Sequence, residues 1–389
     1  MSIEILTRTI LEKMTGIGKV EGEFFVSLVL QWLRLGGGYT FENLCRQGFL
    51  SAFSYQTHFS KAFHFKSFNS LLIYRHCGLE RLWVFDPTHI SKAGKHPYGV
   101  GYFCGAARRS GCAQAVKRGL ERWALSLVDV VNHSAFHYIA TQTVLVEKQT
   151  LLGFYSPVIV QQATQLLLHS KYLAVDAYFA KHEFIDSVSK TGLQVITRLG
   201  QDAALWYPYL GAKRAGRGRP QQFAGKVAVK NLDYQYFPCC IQEADWRAYQ
   251  ACLYSKRLKR WLQVVIVHTY QSDGQIKSSR ILACTDTSLS GIDLYYYYHL
   301  RFQAELLYGD AKQLLGLTHC QSRQQNRLAF HFNFSLTLLS LAKVAHYLTK
   351  PLAQPGSFSL QDIKTSYCNQ HRLDLFIEGF GLCPIEAKQ

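Results

Sequence analysis

Acidic residues are scarce in this sequence: 26 Asp and Glu stand against 43 Lys and Arg in 389 residues, leaving a formal net charge of +17. That excludes an acidic, solvating chain and makes a polyanion, nucleic acid first, the partner to expect. Paired cysteines are also missing. The eleven cysteines are scattered without a C-x-x-C spacing, which argues against a zinc knuckle or a disulfide framework and suits buried thiols in a reducing compartment. Long uninterrupted apolar runs are lacking too: FFVSLVLQWL stops at Arg34, and the stretch 328–348 contains His331, Asn333, Lys343 and His346. No membrane partner is expected, MSIEILTRTILEKM is too polar for a signal peptide, and the expected location is cytoplasmic. What is present is core material, 48% apolar and 14% aromatic residues, enough for more than one domain and too much for a disordered chain.

Along the chain, residues 1–78 place apolar positions at helical intervals, broken at Gly36, Gly37 and Gly38, and predict a helical N-terminal region of a size that suits DNA-end binding. The pattern then changes to that of an α/β domain. RLWVF at 81–85 reads as a buried strand ending in Asp86, followed by the polar loop PTHISKAGKHPYGVG. Further strands are expected near 100–106, 121–131, 172–175 and 193–199, with helices at 158–169 and from Ala180, so that Asp176 also sits just past a strand. Residues 79–200 are therefore the first part of the larger domain. A β-rich insertion is expected over 201–290. It opens with a basic loop, 211–230, where Lys213, Arg214, Arg217, Arg219, Lys226 and Lys230 occur without an acid, and holds a second basic cluster at Lys256, Arg257, Lys259 and Arg260. Residues 291–350 complete the domain with helices over 292–315 and 326–348, and 351–389 form a tail without clear pattern.

The sharpest local signal is DLYYYYHLRFQAELLYGDAKQLLG. On one continuous helix Tyr298, Arg301, Glu305 and Lys312 fall within about 60° of one another, and Leu300, Ala304, Leu307, Ala311, Leu314 and Leu315 supply the opposite, apolar face. Taken alone this is a solvated amphipathic helix with an Arg301–Glu305 pair worth a few tenths of a kcal/mol. Asp86 and Asp176 change the reading, because two acids at strand ends and one on a late helix can converge on metal ions. Three carboxylates suffice for two Mg²⁺ ions, with Mn²⁺ a substitute, and no histidine or cysteine joins the set to favour a softer metal. His89 and His96 lack a third histidine. Asp129 and Asp310 are secondary acids, Asp310 lying about 140° around the helix from Glu305.

The phrases FDPTHISKAGKHPYG, YLAVDAYFAK and YHLRFQAELLYGDAK resemble the DDE transposases of bacterial insertion sequences. Tyr298-x-x-Arg301-x-x-x-Glu305-x-x-x-x-x-x-Lys312 is similar to the tyrosine-arginine-glutamate-lysine signature of one large branch, and the resemblance extends over about residues 40–345, with KRGLE at 117–121 and GRGRP at 216–220. It implies an α/β fold with an RNase H-like catalytic core, a β-rich insertion before the glutamate-bearing helix, and Asp86, Asp176 and Glu305 as catalytic metal ligands. It also implies double-stranded DNA with terminal inverted repeats and target DNA as partners, with a homodimer on DNA as the working form. Arg301 and Lys312 would contact phosphates and Tyr298 would orient the DNA end, while Trp206, Trp246 and Trp261 are candidates to stack on a displaced base, a core role being the favoured alternative for each. Lys92 and Lys95 after Asp86, and Arg217 and Arg219 in the basic loop, are further candidates for phosphate contact, the plain alternative being a solubilising surface. Two other readings share these features: an RNase H-like nuclease without target joining, and a DNA-binding regulator derived from a transposase.

Overall fold

The computed structural model describes residues 1–92, 94, 96–104, 116–211, 221–349 and 357–380. Five helices open it: α1 (Ile3–Leu11), α2 (Lys19–Arg34), α3 (Phe41–Gln47), α4 (Ala52–Ser60) and α5 (Phe65–His76). Ser2, Thr40 and Ser51 start α1, α3 and α4, each side-chain oxygen accepting from the backbone N–H three residues on. The glycine run after α2 is needed at Gly37, whose φ is +83°.

The sheet is built on β1 (Arg81–Ser91). Next come β2 (Gly101–Cys104), β3 (Val116–Asp129) and β4 (Ser134–Gln142), then α6 (Leu151–Leu167), β5 (Tyr172–Val175), α7 (His182–Ser189) and β6 (Gln194–Leu199). β1 pairs antiparallel with β3 along its whole length, from Arg81 opposite Asp129 to Ser91 opposite Gly119. On its other side β5 runs parallel to it and β6 parallel to β5, with α6 and α7 as the connections. β2 and β4 share the far edge of β3 end to end. The chain then makes β7 (Leu205–Pro208), β8 (Phe223–Lys226), β9 (Cys239–Gln242), β10 (Trp246–Ser255), β11 (Arg260–Tyr270) and β12 (Ile276–Cys284). β12 pairs antiparallel with β6, so the β-rich segment continues the main sheet in the order β2-β3-β1-β5-β6-β12-β11-β10-β7-β8. The result is a mixed α/β fold with one large mixed sheet.

Four helices follow: α8 (Gly291–Leu300), α9 (Phe302–Leu314), α10 (Gln325–Thr349) and α11 (Leu360–Gly379). α10 is long and apolar enough to cross a membrane, yet 94% of its most apolar stretch is buried inside the fold. Aromatic rings dock the N-terminal helices onto it: Phe59 lies 4.4 Å from Phe330, and Trp32 5.1 Å from Phe334. The Trp32 Nε1–H donates to the Leu315 carbonyl at 3.1 Å, closing the polar end of that contact.

Four differences from the sequence expectations have physical causes. Asp86 lies inside β1 rather than past its end, because β3 continues to pair with β1 as far as Ser91. Pro87 is tolerated there because pairing with β5 stops at Phe85 and leaves that side of the strand open. β4 was hidden by its polar residues: buried His137 accepts Asn333 as partner, and the His137 N–H donates to Ser340 Oγ. The expected helix 292–315 breaks at Arg301, whose N–H closes a tight turn onto Tyr298 O at 3.3 Å. α11 escaped notice because Leu360 is its only fully buried residue, so it lacks a strong apolar stripe.

Candidate active site

Alternation along β1 sends Val84, Asp86 and Thr88 to one face and Phe85 to the other, where its ring meets Tyr155 at 5.3 Å and Phe179 at 5.4 Å. The Asp86 face is covered by α9. Lys312 Nζ donates to Thr88 Oγ1 at 2.9 Å, and Arg301 places Nη1 4.0 Å from Asp86 Oδ1 and Nη2 2.6 Å from Glu305 Oε1. Arg301 also lies against the Tyr298 ring, 5.8 Å from its centroid. Asp176 arrives on the neighbouring strand: Phe85 and Val175 form the last β1–β5 pair, and the next residue on each strand is one of the two aspartates. The Asp176 Oδ1 accepts from the Ala177 N–H at 2.7 Å, fixing the turn that follows β5. The break at Arg301 therefore leaves Tyr298, Arg301, Glu305 and Lys312 turned toward one place.

Charge is concentrated there. Burial, then the like charges of Glu305 and Asp176, push the Asp86 carboxyl up to about 7 against the opposing pull of Arg301 and Lys312. Burial lowers Lys312, opposed by Asp86. Burial also works against the Arg301 charge, but Asp86 and Glu305 outweigh it and its affinity for a proton rises. The donors are carboxylate oxygens, which suit Mg²⁺ or Mn²⁺ better than a soft metal. Among the described residues no three His, Cys, Asp or Glu side chains form a ready cage for an ion; Glu305 is instead engaged by Arg301. The donor chemistry thus fits a hard divalent cation, and the arrangement is one in which a guanidinium holds one of the three acids.

The other sequence candidates take several places. The Lys92 ammonium donates to the carbonyls of Thr318 and Cys320 at 3.0 and 2.6 Å, tying the end of β1 to the segment between α9 and α10. Lys95, Arg217 and Arg219 lie outside the described residues, as do Lys213 and Arg214. Trp246 stacks on Tyr295 at 4.9 Å, Trp206 lies 3.8 Å beneath the Lys256 ammonium, and Trp261 packs beside Tyr254 at 5.5 Å. Arg257 pairs with Asp202 and Arg260 with Asp186. His89 is a β1 residue rather than a loop residue, and His96 is exposed. Asp129 accepts from the N–H groups of Gly78 and Asn132, and Asp310 lies within electrostatic reach of Lys343.

Three residues near the acids escaped the sequence reading. Thr88 is set by the alternation that sets Asp86. Arg198 on β6 is exposed and close enough to Tyr298 for its charge to be felt there. Tyr308 lies seven residues after Arg301 and four before Lys312, a spacing that places all three on one helical stripe.

Residues 156–341 match the family model of the transposase DDE domain. A transposase DDE domain is therefore present over that span, which holds Asp176, Tyr298, Arg301, Glu305 and Lys312 and begins after Asp86. No curated protein matches the chain.

Proposed function

We propose that the protein is a DNA transposase that binds the terminal inverted repeats of an insertion sequence and performs metal-dependent phosphodiester cleavage and strand transfer. The observation that carries this reading is the convergence on Asp86 of the Glu305 and Asp176 charges, under a helix that also brings Arg301 and Lys312. The strand order β4-β3-β1-β5-β6, antiparallel in its first half and parallel in its second, supports an RNase H-like core. The branch with the tyrosine-arginine-glutamate-lysine signature is supported by the way those four side chains gather.

Asp86, Asp176 and Glu305 would hold two Mg²⁺ ions, or Mn²⁺ in their place. When bound, such ions make water a stronger nucleophile and stabilise the leaving oxygen of an in-line displacement. The chain's own residues do the rest. Glu305 would leave Arg301 to serve as a ligand, and the guanidinium would then be free for the DNA phosphate beside the scissile bond, with two oxygens matched to its fork. Lys312 gives a second, compact positive charge from its place over Thr88. Tyr298 and Arg198 lie where they can align the DNA end. Water first cleaves the strand at the element's end, and the released 3′-hydroxyl then attacks target DNA; neither step requires ATP. Two ends must be handled together, so the working form is a homodimer on DNA, in the cytoplasm.

The test uses purified protein and the DNA segment that carries its gene with the flanking terminal repeats, with and without Mg²⁺, beside Glu305→Ala. Metal-dependent end cleavage by the natural protein and none by the variant is expected. Equal cleavage by both would sink the assignment, whereas binding without any metal-dependent cleavage would identify a regulator.

A further inference from the structure

The stripe of α9 that faces β1 contains a side chain that the proposed chemistry leaves without a role. Tyr308 is 3% exposed, and its hydroxyl has no hydrogen-bond partner. Ser126 on β3 is fully buried, and its hydroxyl likewise lacks a partner. The two hydroxyls are close enough to act on one another but do not meet in the geometry of an ordinary hydrogen bond, and the Asp86 charge also acts on the Tyr308 phenol. Register explains the meeting: Ser126 is opposite Val84 and Ala124 is opposite Asp86, so both share the face of the sheet on which Asp86 stands. The residue opposite Asp86 is the small Ala124, and Tyr308 is buried on the helix that covers this face.

A buried hydroxyl without a partner destabilises the fold, and a phenylalanine would fill the same volume without that cost. The arrangement makes sense if the partner is Asp86 itself in another rotamer. In the present rotamer the carboxylate leans toward Arg301 at 4.0 Å. We propose that Tyr308, paired with Ser126, is a positioning residue for Asp86: its O–H donates to one carboxylate oxygen once Glu305 and Arg301 have separated, leaving the other oxygen turned toward Asp176 and Glu305. Ser126 in turn donates to the phenol oxygen, which completes both orphan groups. This inference rests on the reading of Asp86 as a metal ligand. Outer hydrogen bonds of this kind fix the orientation of a ligating carboxylate, and their loss costs about tenfold or more in metal affinity.

The experiment takes the full chain without DNA and titrates Mn²⁺, following the free-ion signal by electron paramagnetic resonance, with thermal unfolding of the metal-free protein as a second readout. Tyr308→Phe is expected to leave the metal-free Tm unchanged or higher and to weaken Mn²⁺ binding about tenfold. Ser126→Ala reaches the same pair from the other strand and should weaken binding in the same direction. In DNA cleavage, Tyr308→Phe should raise the Mg²⁺ concentration for half-maximal rate while the rate at saturating Mg²⁺ stays within about twofold. Unchanged Mn²⁺ affinity, or weakened affinity seen only together with a lowered metal-free Tm, overturns the positioning role. If the natural protein binds Mn²⁺ and Asp86→Asn abolishes that binding while Tyr308→Phe does not alter it, only this inference falls. Absence of Mn²⁺ binding by the natural protein overturns both this inference and the proposed function.

Discussion

Replacing Asp86 by Asn should stabilise the metal-free protein while abolishing its chemistry. The carboxyl titrates at about 3.9 in an unfolded chain but at about 7 in the folded one. The folded state therefore holds this proton more tightly, and stability is lost as pH rises from about 4 to about 7. Three units correspond to about 4 kcal/mol once both states are ionised. The side chain is 20% exposed, and water screens part of the repulsion, so about 2 kcal/mol is the expected gain for Asn at pH 8. In a chain of this size that is a rise in Tm of a few degrees. At pH 5 most of the folded molecules retain the proton and the gain should shrink to under about 1 kcal/mol. Excess Mg²⁺ should stabilise the natural protein at pH 8 and move the Asn variant far less, since a neutral amide oxygen holds a hard divalent cation much more weakly than a carboxylate. Calorimetric scans of both proteins at pH 5 and pH 8, with and without Mg²⁺, measure all of these. An Asn variant no more stable than the natural protein at pH 8 would refute the picture of a strained, electron-rich carboxylate cluster.

Lys312→Met keeps the stem but removes the bond to Thr88 and the charge beside Asp86; end cleavage should fall about 100-fold with folding intact, and a loss under about threefold contradicts the role given to Lys312. Asn333 accepts from the Ala140 N–H and the His137 Nε2–H and donates to the Ala140 carbonyl, so Asn333→Leu should cost about 3 kcal/mol in urea unfolding; a variant as stable as the natural protein would show that this buried network contributes little. Burial lowers His137 to about 4 and His331 to about 3. The unfolded chain therefore takes up protons first as pH falls below about 6.5, and the His137 contribution alone should remove about 3 kcal/mol by pH 4. Measured in the Asp86→Asn background, where the opposing carboxyl is gone, a urea midpoint that does not move between pH 7 and pH 4.5 contradicts it.

What was legible in the sequence was whatever repeated with a clear period. Arg301, Glu305 and Lys312 announced one helical face, and Ala304, Leu307 and Ala311 announced the buried one, as the burial of all three bears out. The β5 strand and the acid after it stood out because YLAV is a short apolar run with a polar stop. The hidden parts are those in which tertiary contacts replace periodicity. β4 is hard to read because His137 and Gln142 interrupt its apolar run, both buried with partners on other segments, Asn333 on α10 and the Glu121 carbonyl on β3. The extension of β1 past Asp86 depends on β3 lying alongside, which no local pattern encodes. The same holds for Lys92, a surface lysine by composition, whose ammonium is taken by two carbonyls about 225 residues away. The engagement of Glu305 by Arg301 is an i,i+4 pair that the sequence anticipates, but its competition with metal ligation emerges only beside Asp86.

The most direct measurement of the central claim is target joining by a pre-cleaved end. DNA ending in the element's exposed 3′-hydroxyl is mixed with a supercoiled target, Mg²⁺ and protein, and covalent joining is scored for the natural chain and for Asp86→Asn, Asp176→Asn and Glu305→Gln. The account predicts Mg²⁺-dependent joining by the natural chain and loss of at least 100-fold in each variant, with DNA binding retained. Joining that survives any one of the three substitutions, or end cleavage by the natural chain without joining, would contradict it.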